Sequence, residues 1–155
     1  DLLATVDRPA GAGGVLYAVG NENSGLTVFV KDDRLAFDYN AFGDHQLVRS
    51  EIEVPVGASV LGVRFRRTRG APSTATLVVD DVEVGTTEIP LVLGMISSVG
   101  ASVGHDRGSA VSPEYDAPFP FEGTLHRVDI QLQSQTPAQA EAAAATAQRA
   151  EESRQ

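Results

Sequence analysis

The stretch VGHDRGSAVSPEYDAPFPFEGTL, residues 103–125, carries more polar chemistry than any other part of this 155-residue chain. His105, Asp106 and Ser109 are the residue types of a nucleophilic triad, in which a carboxylate orients an imidazole that activates a serine hydroxyl. A triad draws its members from separate rigid elements and needs an oxyanion hole, whereas these three residues are close neighbours in sequence. The pattern therefore predicts no catalytic residue here.

A metal site is the second chemistry that this stretch could support. Asp106, Glu114 and Asp116 could supply carboxylate oxygens to calcium, a hard cation that takes several oxygen ligands. Their spacing matches no defined calcium loop. The sequence thus predicts no cofactor for this chain and leaves calcium at these three carboxylates as an open alternative.

The same residues suit a loop that is clamped in shape or faces another domain. Gly104 and Gly108 permit tight turns, and Asp106 can accept hydrogen bonds from backbone N–H groups. Arg107 can pair with Asp106 or Asp116, while Phe119 and Phe121 can anchor a proline-stiffened segment at the edge of a core. The candidate clamp or interface residues are His105, Asp106, Arg107, Ser109, Tyr115 and Asp116.

Short alternations of apolar and polar residues, broken by Gly, Asp, Asn and Pro, must position this loop. They predict about nine to twelve antiparallel strands in an all-β sandwich or barrel, and no helical pattern separates them. The expected strands lie at 15–20, 25–30, 34–39, 45–54, 59–67, 97–104 and 123–132, with a further hairpin at 76–85. Leu125, Val128, Ile130 and Leu132 are the expected core positions of the last strand, which has an irregularity near His126.

The composition changes at Ser134, so we divide the chain into a sandwich at 1–133 and an alanine-rich segment at 134–155. Thr136 as N-cap, Pro137 at the first helical position and Gln139 three residues after the cap predict the start of a short helix. Alanine favours helix but buries little apolar area, so a tail is the alternative. If helical, the segment could also pair two copies of the chain.

Composition limits the classes of partner that this chain is expected to bind. The hydrophobic fraction of 42% is ordinary for one globular domain with a buried core. The net charge is −9, and the single basic block, RFRRTR at 64–69, reads as one solvated strand face, so we expect no nucleic-acid partner. No apolar run approaches the roughly 18 residues of a membrane span, so we expect no membrane partner either.

The chain begins at Asp1, and nothing before Gly11 has the pattern of a signal peptide. We therefore interpret it as a fragment of a longer protein, with cytoplasmic and exported locations both left open. The absence of cysteine excludes disulfides, thiolate metal sites and cysteine nucleophiles.

Three blocks of the chain resemble one family. GGVLYAVG…SGLTVFVKDDRLAFDYNAFG, then TLVVDDVEVGTTEIP, then VGHDRGSAVSPEYDAPFPFEGTLHRVDIQL are similar, in the same order, to the C-terminal β-sandwich domain of bacterial (actinobacterial-type) arylsulfatases. The resemblance covers roughly residues 11–132. It implies a concanavalin A-like jelly roll that follows a catalytic domain in the same polypeptide, and that catalytic sulfatase domain is the implied partner.

The chain departs from the family pattern at both hairpin turns, where Asp32–Asp33 and Asp80–Asp81 replace Asp-Gly. A type I′ turn needs positive φ at both central residues, which Asp tolerates at about 1 kcal/mol more than Gly, so we expect both hairpins to form. The segment around PLVLGMISS fits the family only loosely, which leaves the strand order there open.

The resemblance implies a parent enzyme whose formylglycine nucleophile and divalent metal, calcium by analogy, hydrolyse sulfate esters. That nucleophile arises from Cys or Ser in a C/S-x-P-x-R motif, which this chain lacks. We therefore expect a non-catalytic domain that packs on the catalytic domain, stabilises it and borders substrate access.

Two sugar-directed functions are the alternatives. A jelly-roll glycosidase needs paired carboxylates, and Glu51 and Glu53 share a strand face but lack a third carboxylate and aromatic walls. An independent glycan-binding, lectin-like sandwich needs exposed aromatic side chains. The candidates for such a platform are Tyr17, Tyr39, Phe42 and Tyr115.

Overall fold

The computed structural model describes residues 1–67, 71–94 and 99–132. Ten strands form within these residues, all in the part of the chain that the sequence assigns to the sandwich. They are β1 (Leu2–Arg8), β2 (Gly14–Gly20), β3 (Ser24–Lys31), β4 (Arg34–Ala41), β5 (Asp44–Glu53), β6 (Gly57–Arg66), β7 (Ser73–Val79), β8 (Val82–Ile89), β9 (Ser102–Val103) and β10 (Thr124–Ile130). No helix long and apolar enough to cross a membrane occurs in the described ranges.

The strands form two five-stranded antiparallel sheets. The first sheet has the order β10-β1-β6-β7-β8 and the second sheet has the order β5-β4-β3-β2-β9. The chain therefore crosses from one sheet to the other after β1, β5, β8 and β9. This arrangement confirms the expected all-β class and a sandwich of two antiparallel sheets.

Both expected aspartate turns are confirmed. Asp32 and Asp33 join β3 to β4 with φ of 52° and 58°, and Asp80 and Asp81 join β7 to β8 with φ of 48° and 68°. Positive φ at both central residues is the geometry of a type I′ hairpin. The short polar side chain of aspartate tolerates this backbone, so glycine is not required in either turn.

The irregularity expected near His126 is also confirmed. Thr5 pairs with Arg127 and Val6 pairs with Leu125, so His126 is the extra residue of a bulge between β1 and β10. A bulge bends an edge strand and interrupts its pairing, which discourages the addition of further strands.

The main core lies between the sheets and is built from one alternating face of each strand. Val28 and Val30 of β3 and Phe37 and Tyr39 of β4 point into it. The intervening residues of β3 and β4 are buried too, because the outer face of the second sheet holds a smaller core of its own. Burial on both faces explains why β3 and β4 read as almost continuously buried strands.

The structure corrects the core positions expected for the last strand. Leu125 and Val128 pack against the main core, but Ile130 is 55% exposed and Leu132 is 87% exposed. The bulge at His126 is not the cause, because Val128 and Ile130 both follow it on the same side of the strand; the described residues cover Val128 but leave the end of β10 uncovered. Strand β1 was not anticipated, and the strand expected at 97–104 is only the two-residue β9 within the described residues. The segment 134–155, with its expected helix, lies outside the described residues.

Candidate functional site

Residues 104–123, here called the covering loop, lie across the outer face of the second sheet. The two ends of the loop are joined by hydrogen bonds from Asp106 N to Pro118 O at 2.8 Å and from Phe121 N to Gly104 O at 2.9 Å. Val15 N of β2 donates to Phe119 O at 2.8 Å, which ties the loop to the sheet. A Cβ added at Gly14 would lie 2.3 Å from Pro120 O, so this close approach requires glycine.

Beneath the covering loop lies a buried polar cluster of Asp106, Tyr115 and Thr27. Asp106 Oδ2 accepts hydrogen bonds from the Tyr115 hydroxyl at 2.7 Å and from Val111 N at 2.8 Å. The same hydroxyl is 3.0 Å from Thr27 Oγ1 of β3. The three side chains are almost fully buried, so these bonds form away from water, where an unmade bond is costly.

Aromatic packing surrounds this cluster. The Tyr115 ring meets Phe29 edge-on at 5.0 Å between centroids and stacks on Phe119 at 5.2 Å. Burial raises the pKa of the Tyr115 phenol strongly, the hydrogen bond to Thr27 opposes this rise, and the Asp106 carboxylate adds to it. The phenol therefore stays protonated while the protein is folded, which suits a structural donor and not a proton-transfer group.

This perturbed phenol predicts a pH dependence of stability. Because the pKa of Tyr115 is higher in the folded than in the unfolded chain, its stabilising contribution is complete below about pH 10 and is lost as the pH rises above that value. Alkaline denaturation followed by circular dichroism should show a smaller loss between pH 9 and 11 for Tyr115→Phe than for the unmodified chain. Equal losses for both proteins would contradict this assignment.

The other candidate residues of the covering loop are not brought together. Arg107, Ser109 and Asp116 are exposed, and Arg107 forms no ion pair with Asp106 or Asp116 in the part of the chain that is described. His105 is half-buried, with Nδ1 3.2 Å from Val103 O. The sequence-based pairing of Arg107 with an aspartate is thus replaced by the pairing of Asp106 with Tyr115.

The carboxylates considered for calcium also lie in different environments. Asp106 Oδ2 is occupied by the donors already described, the Glu114 carboxylate pairs with Arg49, and Asp116 is exposed. Within residues 1–67, 71–94 and 99–132, no group of three or more His, Cys, Asp or Glu side chains could hold a metal ion. The donor set that calcium requires is therefore not assembled by these residues.

One further pattern lies at residues 100–104, whose letters GASVG match the G-x-S-x-G nucleophile elbow. In an elbow the serine sits exposed on a sharp strand-to-helix turn. Here Ser102 is a buried residue of the two-residue strand β9, which pairs with Ala18 of β2. The surroundings of Ser102 therefore do not form a nucleophile elbow.

A small cleft opens beside the covering loop, at the end of the second sheet that holds the β2–β3 and β4–β5 turns. It has a volume of about 300 Å³, and its lining includes Glu22, His45, Ser112, Tyr115 and Asp116. Behind it, His45 Nδ1 lies 2.9 Å from Oδ2 of the buried Asp38. The sequence places His45 at the start of the strand expected at 45–54 and gives no sign of its pair with Asp38.

Arg8 is a second buried polar residue whose contacts the sequence did not predict. It is 2% exposed, and its guanidinium donates to Ala12 O at 2.8 Å, Asp33 Oδ1 at 2.7 Å and Val54 O at 2.8 Å. The signal was present in β1, where alternation from Leu2 places Arg8 on the buried face. Because Arg8 joins three separate segments, its role is to hold the fold together.

No protein-family model matches this sequence, and no curated protein matches it.

Proposed function

We propose that this chain is a non-catalytic accessory domain of an arylsulfatase, and that it packs on the catalytic domain of the same polypeptide. The observation that carries the non-catalytic half is the use made of the most polar stretch of the chain. Its buried carboxylate and phenol, Asp106 and Tyr115, are hydrogen-bonded to each other under the covering loop, which supports a structural role for both. The absence of a C/S-x-P-x-R motif from the sequence supports the same conclusion.

The proposed fold is a concanavalin A-like jelly roll. Two five-stranded antiparallel sheets and four crossings between them support this assignment. The family resemblance of residues 11–132 is the reason for choosing the jelly roll among sandwiches, and its most specific part is the block that forms the covering loop and β10.

The surface proposed to face the catalytic domain is an apolar groove between the sheets. It has a volume of about 480 Å³ and lies where β1 begins and where β6 and β10 end, with Tyr17, Phe65 and Val92 among its lining. The exposed side chains of Ile130 and Leu132 border it. Contiguous apolar patches are uncommon on the surface of monomeric proteins, and those that are present often mark interaction sites.

The first expected result is the absence of activity. The 155-residue chain should release no product from an aryl sulfate reporter, because it holds no formylglycine precursor in the required motif. Turnover that scales with the concentration of the purified chain would contradict the proposal.

The parentage and the interface need a positive test. A C/S-x-P-x-R motif encoded elsewhere in the same open reading frame is expected, and its absence would overturn the sulfatase assignment. With that catalytic domain co-expressed, Ile130→Asp should weaken co-purification, because it places a charge on the exposed apolar rim. His126→Asp, on the same strand and also exposed, is the matched control and should leave co-purification unchanged.

A further inference from the structure

Three hairpin turns of this protein share one backbone geometry but not one kind of side chain. The turns at Asp32–Asp33, Asp80–Asp81 and Phe42–Gly43 all have positive φ at both central residues. In the first two, an aspartate contributes to the fold: Asp33 accepts from Arg8, and Asp80 Oδ1 accepts from Val60 N at 2.7 Å. In the third, the first central residue is phenylalanine, at φ 57°.

Phe42 contributes little to the packing of the protein. Its side chain is 74% exposed, and a bulky residue at positive φ is strained. Asn-Gly is the preferred sequence for such a turn, and asparagine would remove both the strain and the exposed ring. Phe42 strains its turn and its ring is not buried, so packing within the fold does not explain its presence. A contact with another molecule would explain it, which makes Phe42 a candidate contact for a ligand.

The hairpin that presents Phe42 also forms one wall of the small cleft. His45, which lines the cleft, pairs across the hairpin with Asn40, two residues before Phe42. Asn40 is fully buried and donates from Nδ2 to Glu22 O at 2.9 Å and to Val111 O at 3.2 Å, while its Oδ1 accepts from Gly43 N at 2.8 Å. One side chain thus fixes the aromatic turn, the β2–β3 turn and the covering loop around the cleft, which makes the site pre-organised.

The polar groups of the cleft define the ligand chemistry. Glu22 and Asp116 line it with carboxylates, and His45 presents an imidazole held from behind by Asp38. Asp38 is 1% exposed, and its Oδ1 has no hydrogen-bond partner among the described residues. Burying a carboxylate with one oxygen unpaired lowers the stability of the fold. The environment of Asp38 therefore supports a site that is maintained for binding at the expense of stability.

We propose that the cleft of Glu22, His45 and Asp116 binds a saccharide that is uncharged or bears an amine, and that Phe42, on the turn that leads into His45 and outside the cleft lining, serves as the aromatic platform. An aromatic face packs on the apolar face of a sugar ring, while carboxylates and an imidazole form hydrogen bonds with its hydroxyl groups. A volume of about 300 Å³ lies at the lower end of small-molecule sites, so one ring or two fit. The carboxylate rim disfavours sulfated sugars through like-charge repulsion.

The test is a glycan array that contains uncharged, amine-bearing and sulfated glycans, probed with the 155-residue protein. Binding to uncharged or amine-bearing glycans is expected, and the strongest of them is then titrated by calorimetry. Phe42→Asn should weaken that binding roughly tenfold or more while raising Tm by about 2–4 °C, since it removes an aromatic contact and relieves the turn. His45→Ala should also weaken binding, which locates the ligand in the cleft.

Val82→Asn is the matched control, because Val82 is 60% exposed beside a turn of the other sheet. This variant should bind the glycan like the unmodified protein. The proposal is overturned if the array shows no binding, if sulfated glycans are preferred, or if Phe42→Asn leaves binding unchanged. Loss of co-purification with a sulfatase domain in Phe42→Asn, with glycan binding intact, would assign the platform to that domain. The inference is independent of the sulfatase parentage, so either proposal can fail alone.

Discussion

Replacing Arg8 with alanine should lower the free energy of unfolding by about 3–5 kcal/mol, as expected when one partner of a buried charged network is removed. The guanidinium donates to Ala12 O, Asp33 Oδ1 and Val54 O, which belong to three different segments. Without it, the carbonyl groups of Ala12 and Val54 lose their charged donor and the turn between β3 and β4 loses its anchor. Equilibrium denaturation with urea measures the change directly.

Two comparison variants separate the network from the charge alone. Arg8→Lys keeps the charge but offers no planar fork for several acceptors, so it should recover only part of the lost stability. Arg127→Ala breaks an exposed pair with Asp129 and should cost at most about 1 kcal/mol. A loss for Arg8→Ala as small as that for Arg127→Ala would show that the buried network does not stabilise the fold.

Replacing Asp106 with alanine should cost about 3 kcal/mol and lower Tm by roughly 10 °C, because it leaves buried donors without their charged acceptor. The Tyr115 hydroxyl keeps its contact with Thr27, whereas Val111 N loses the carboxylate oxygen that accepts from it. The covering loop should then loosen first, so thermal unfolding should be preceded by faster amide exchange in residues 104–121.

Asp116→Ala is the matched control for this variant, since Asp116 lies in the same loop but is exposed. It should change the free energy of unfolding by no more than about 0.5 kcal/mol. Asp106→Asn retains an oxygen acceptor of similar size and should fall between the two. Similar stabilities for Asp106→Ala and Asp116→Ala would show that the buried cluster does not hold the loop.

Features that depend on local sequence could be predicted. The turns at Asp32–Asp33 and Asp80–Asp81 follow from backbone preferences that act over four residues, and the flanking alternation defines the strands on either side. The bulge at His126 was predicted for the same reason, because the break in alternation is visible in the strand itself.

Features that depend on partners distant in the sequence could not be predicted. Ile130 and Leu132 continue an apolar pattern, yet whether they are covered depends on what lies over the end of β10. The exposed environment of Phe42 and the pairing of His45 with Asp38 likewise depend on the hairpin that β4 and β5 form together. The sequence predicts a clamp or an interface from the polar residues of this loop, but it does not show which residue pairs with Asp106, since Arg107 is as plausible a partner in sequence as Tyr115.

By itself, then, the sequence determined an all-β chain with its hairpins and identified residues 103–125 as its most polar stretch. Only the tertiary structure decided that Asp106 bonds to Tyr115 and not to Arg107, that Arg8 is buried, and that His45 faces a cleft. The physical reason is the range of the interactions. Turn geometry and alternation act between neighbours in the chain, whereas burial and the pairing of buried polar groups depend on which sheet face and which loop lie opposite.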